Sequence, residues 1–63
     1  MLEPRYKVEI TTYFGNEPIV VQTVYKSDAN VVDKFLRIEA YDGDVLMLNL
    51  DEVRLLMITE IDS

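Results

Sequence analysis

The chain has 63 residues, with twelve Asp or Glu against six Lys or Arg and a net charge of −6. It has no Cys, which excludes disulfides and thiolate metal sites, and no His, the commonest metal ligand and general base. So acidic a balance disfavours both the phosphate backbone of nucleic acids and an anionic membrane surface as direct partners.

Residues 5–14, RYKVEITTYF, alternate with a period of two: Tyr6, Val8, Ile10, Thr12 and Phe14 point one way, Lys7, Glu9, Thr11 and Tyr13 the other. β-Branched and aromatic residues dominate, so this segment reads as a half-buried strand. Gly15-Asn16-Glu17-Pro18 then supplies turn residues, and the Val-rich run 19–26 reads as a second strand, antiparallel to the first. Ser27 is placed to cap a short helical turn near 28–33, with Asp28 favourable in its first turn. A strand over 35–41 follows, with Leu36, Ile38 and Ala40 on one face and Arg37 and Glu39 on the other. Asp42-Gly43 predicts a two-residue type I′ hairpin turn. The next strand, 44–50, is apolar on both faces until Asn49.

Residues 50–61 admit two readings. Asn49 as N-cap, Glu52 at the capping-box position and several good helix formers suit a C-terminal helix. Val53, Leu55, Met57 and Ile61 on one side, with Leu56 and Ile58 on the other, suit a strand apolar on both faces. The strand is the favoured reading. The expected fold is therefore mainly β (β-rich α+β), one domain spanning 1–63. It is a small bent antiparallel sheet or barrel of four to five strands with one short helical turn. In this pattern of short strands and turns the chain resembles the small Sm-like and SH3-like barrels.

The acids are unevenly spread. Residues 1–31 carry four acids and three bases, net −1, while residues 32–63 carry eight acids and three bases, net −5. Two acidic pairs, Asp42/Asp44 and Asp51/Glu52, bracket the apolar 44–50 segment. No catalytic constellation accompanies them: Ser27 is a cap candidate, Ser63 is terminal, and no His or Cys is present to activate a nucleophile. Asp42-Gly43-Asp44 matches no calcium loop, and neither Gly15 nor Gly43 belongs to a phosphate-binding motif. No cofactor or metal is expected, and no enzymatic activity.

A chain this short buries only about 60% of its unfolded surface, so a partner subunit is a natural reinforcement. With 49% hydrophobic residues, the expectation is a homodimer through Val53, Leu55, Met57 and Ile61. The candidate partner-binding residues are Asp42, Asp44, Asp51 and Glu52, with Tyr41 and Tyr13 as aromatic anchors. Together they point to a non-enzymatic acidic interaction module that binds a basic surface of a partner enzyme. In size, acidity and lack of catalytic residues it is similar to phage-encoded inhibitors of host or defence enzymes, nucleic-acid mimics among them. The alternative expectation is a structural subunit, a small barrel forming homo-oligomers. No basic n-region with an apolar h-region opens the sequence, and no apolar run approaches the roughly 20 residues of a membrane span. The expected location is the cytoplasm, that of the host cell for a phage protein.

Overall fold

The computed structural model describes residues 3–61. It is mainly β, with six strands and two single 3-10 turns: β1 (Tyr6–Thr12), β2 (Ile19–Thr23), β3 (Ala29–Val32), β4 (Phe35–Glu39), β5 (Val45–Asn49) and β6 (Val53–Glu60). All pairing is antiparallel, and the strands form two three-stranded sheets, ordered β2-β1-β6 and β3-β4-β5. A backbone hydrogen bond from Tyr41 N–H to the Gln22 carbonyl, 2.9 Å, joins the two sheets at one corner, while Tyr13 N–H to the Glu52 carbonyl, 3.1 Å, extends the β1–β6 ladder by one residue.

The alternation read in 5–14 is the reason β1 works as a central strand. Its inward residues Val8 and Ile10 are fully buried and meet Leu36 and Ile38 from β4. Val21, Ala29, Leu46, Leu48 and Val53 flank this cluster. Thr23 is also fully buried, and its hydroxyl donates to the Tyr25 carbonyl at 3.0 Å, so no buried polar group is stranded there.

Several local features differ from the sequence reading. The short helical turn lies two residues earlier, at Lys26–Asp28, and its N-cap is Tyr25 rather than Ser27. The Asp28 carboxylate accepts the Tyr25 N–H at 2.9 Å, which anchors the turn. The next residues, Ala29–Val32, then form a sixth strand paired with β4. That hairpin turns at Asp33-Lys34, where Asp33 takes φ +57°. A two-residue loop with positive φ at its first position has the sign pattern of a type II′ turn, and Asp tolerates that region better than most residues.

The β4–β5 turn is not the two-residue type I′ form. Ala40 N–H donates to the Asp44 carbonyl at 2.7 Å, and Gly43 N–H donates to the Ala40 carbonyl at 3.0 Å. Only Gly43 has positive φ, +96°. The loop is thus three residues, a tight turn closed by a left-handed glycine. The Asp42 carboxylate accepts Asp44 N–H at 3.1 Å and stabilises this shape. A Cβ at Gly43 meets nothing within 4 Å, so Gly43→Ala carries backbone strain without a clash. We expect it to cost about 1–2 kcal/mol, read as a lower urea midpoint with unchanged slope.

The two readings of 50–61 resolve in favour of the strand. The Asn49 side chain does cap, accepting Asp51 N–H at 3.0 Å, but the capped element is a single 3-10 turn, Leu50–Glu52. Beyond it the chain pairs with β1 along its length, from Thr12↔Val53 to Tyr6↔Glu60. The pairing slips between Thr11↔Leu55 and Thr12↔Val53, leaving Arg54 as the extra residue of a bulge. The bulge turns Val53 onto the core side, while Leu55 and Met57 line the outer face opposite Thr11 and Glu9.

Candidate functional site

The candidate partner-binding residues fall into two separate groups. Tyr41, Asp42 and Asp44 lie together in the β4–β5 turn. Tyr13, Asp51 and Glu52 meet at the opposite end of β5, where the Tyr13 N–H bonds the Glu52 carbonyl. Tyr13 is 68% exposed and Tyr41 36%. Asp42, Asp44 and Asp51 are exposed and Glu52 is half-buried. Among the described residues the Asp44 and Asp51 carboxylates make no hydrogen bond or ion pair. Two other acids are engaged on strand surfaces, Glu9 with Lys7 at 3.1 Å and Glu39 with Arg37 at 3.7 Å. No group of three or more acids is gathered in metal-binding geometry among the described residues.

The first group has a concave surface beside it. An open groove of about 600 Å³ runs between β2 and the start of β5, lined by Ile19, Val20, Val21, Ala40, Val45 and Leu46, with Gln22, Tyr41, Asp42 and Asp44 completing the wall. Its flanks are two sheet edges. β2 and β5 each pair on one side only. In an antiparallel ladder alternate residues turn their N–H and C=O groups outward. The Tyr41–Gln22 bond shows that Gln22 faces outward on β2, and by alternation so does Val20. The Ala40–Asp44 bond directs even-numbered residues of the hairpin towards each other, which turns Val45 outward on β5. The Gln22 carbonyl is taken by Tyr41, so the groove offers apolar side chains, the outward backbone groups of Val20 and Val45 on its two flanks, and a carboxylate rim.

Sequence reasoning located Tyr41, Asp42 and Asp44 but not the β2 wall. Its trace in the sequence is Ile19-Val20-Val21, three consecutive apolar residues that put apolar side chains on both faces at the start of that strand.

The self-association residues are also divided. Val53 packs against the core. Leu55 and Met57 are about half exposed on the outer face. Ile61 lies just beyond β6, half-buried, its N–H bonded to the Arg5 carbonyl at 2.9 Å. A smaller hollow of about 320 Å³ at Glu3, Arg5, Tyr6 and Glu60 joins residues from both ends of the described chain.

In comparison with known proteins, the chain matches no family model, no curated protein and no solved structure. Among the described residues no helix is long and apolar enough to cross a membrane.

Proposed function

We propose that the protein is a non-enzymatic acidic interaction module that binds an extended, basic-flanked segment of a partner protein in the β2–β5 groove. The observation that carries this reading is the coincidence, at one place, of an apolar trough, two unpaired strand edges and the Asp42/Asp44 rim. An extended peptide adds to a free strand edge through main-chain hydrogen bonds, while pockets beside the edge accept its alternate side chains. Carboxylates on the rim favour Lys or Arg flanking the apolar residues and repel acidic competitors. Tyr41, half in the trough and half in solvent, suits the role of anchor. The mode of action is occupancy: a partner enzyme whose basic segment lies in the groove cannot present it elsewhere, which makes the protein an inhibitor or regulator.

The test uses two fluorescently labelled peptides of alternating valine, one with lysine and one with glutamate between the valines. The lysine peptide is expected to bind and the glutamate peptide not. Replacing both rim charges (D42N with D44N, which keeps the turn's side-chain acceptor) weakens the lysine peptide by roughly tenfold at low salt, with a smaller difference at high salt. Equal affinity for the two peptides, or no effect of the double variant, removes the groove from the mechanism.

A further inference from the structure

We infer that β6 pairs edge to edge with β6 of a second copy, in one register, to give a two-fold symmetric dimer with a continuous six-stranded sheet. β6 is the longest strand, eight residues, and lies at an edge of its sheet. Leu55, Leu56, Met57 and Ile58 are 52, 37, 51 and 39% exposed, so apolar side chains stand open on both of its faces. It holds no Lys or Pro, and its bulge and its two charges, Arg54 and Glu60, lie towards its ends, which leaves Leu55–Thr59 unguarded. The other edges are shorter. β2, of five residues, begins directly after Pro18, β3 has four residues, and β5 has five with Asp44 next to its start. The accessible surface is 4839 Å², against about 4,200 Å² for a folded monomer of 7.3 kDa.

The occupant and its register follow from hydrogen bonding and charge. Ile61 N–H bonds the Arg5 carbonyl, which continues the β1–β6 register by one residue. From Leu55 onward the odd-numbered residues of β6 therefore direct their backbone groups to β1, and Leu56, Ile58 and Glu60 direct theirs to the free edge. A second copy must pair even residues with even. Three central registers satisfy this, with the two-fold axis at Leu56, Met57 or Ile58. Only the axis at Met57 places Arg54 opposite Glu60 of the other copy, and symmetry makes that ion pair twice. The same register sets Leu56 against Ile58 on the inner face and Leu55 against Thr59 on the outer face. An axis at Leu56 sets Arg54 opposite Ile58, and an axis at Ile58 sets Glu60 opposite Leu56. A β6 edge that is self-complementary in charge, apolar contact and hydrogen bonding fits a second copy of this chain. The β2–β5 groove lies at the other edge of the same sheet, so this pairing is independent of what the groove binds.

Sedimentation equilibrium over a wide concentration range tests the register. The wild type is expected to dimerise. Arg54→Glu and Glu60→Arg are each expected to weaken the dimer by about tenfold, because each sets two like-charged pairs across the strands. Together in one chain they restore the pairing and return the dissociation constant to near the wild-type value. Met57 sits on the axis as a non-hydrogen-bonded pair, with Cα atoms about 4.5 Å apart, within disulfide reach. The chain has no Cys, so M57C is expected to crosslink under mild oxidation while S27C does not. Circular dichroism confirms that each variant keeps its β content. A wild type monomeric at millimolar concentration overturns the proposal. So does a dimer in which the charge swap fails to rescue, or in which M57C fails to crosslink.

Discussion

Ile38→Ala is expected to lower the melting temperature more than any surface change, by roughly 10–40 °C. Ile38 is fully buried at the centre of β4, packed with Val8, Ile10 and Leu36. Truncating such a side chain costs about 2–5 kcal/mol, from lost burial plus the cavity left behind. A domain of this length holds about 3–9 kcal/mol in total, at 0.05–0.15 kcal/mol per residue. Among the described residues the buried apolar set is Val8, Ile10, Val24, Leu36 and Ile38, so few neighbours remain to close around the gap. The control is Glu17→Ala in the exposed β1–β2 loop, where the change stays within about 0.5 kcal/mol. Thermal melts followed by circular dichroism compare the two, and equal losses would place the core elsewhere.

That core was legible because β1, and β4 from Leu36 on, alternate with a period of two and sit at the centre of their sheets. Val8, Ile10, Leu36 and Ile38 occupy the faces that period two assigns them. The segment 50–61 was not decidable locally, since Leu, Met, Arg and Glu favour a helix as readily as an edge strand. What decides it is pairing with residues 6–12, some fifty positions away, and no local window contains that term. The β3–β4 hairpin escaped for a related reason. Its turn is Asp33-Lys34, with no Gly or Asn to mark it, and Asp33 carries the positive φ instead.

Tyr41, Asp42 and Asp44 stood out in the sequence as an aromatic beside two acids, but the groove did not. Its walls come from β2 and β5, strands of different sheets that meet only through the fold. The acids also prove less equivalent than they looked. Asp42 holds its own turn through the Asp44 N–H, which leaves Asp44 as the rim carboxylate with no structural duty. Likewise Arg54 and Glu60 acquire meaning only when β6 is seen to be an unpaired edge. In the proposed dimer their spacing of six makes them the two halves of a symmetric pair.

The dimer proposal carries a second large consequence, because so small a core leaves association a large share of the total stability. A copy that binds only the folded chain, present at about one hundred times its dissociation constant, contributes about 2.7 kcal/mol. For a domain of this size that amounts to roughly 10–20 °C of melting temperature. The wild type is therefore expected to melt higher as protein concentration rises. Arg54→Glu is expected to flatten this dependence, and the Arg54→Glu/Glu60→Arg double variant to restore it. The charge changes lie on exposed positions of β6 and leave Val8, Ile10, Leu36 and Ile38 untouched. At high dilution all three proteins should converge on the melting temperature of the monomer. Calorimetry across a hundredfold concentration range makes the comparison. A wild-type melting temperature that stays constant across that range would mean that the β6 edge is not covered by its own copy, and that the core around Val8, Ile10, Leu36 and Ile38 sustains the fold without a partner.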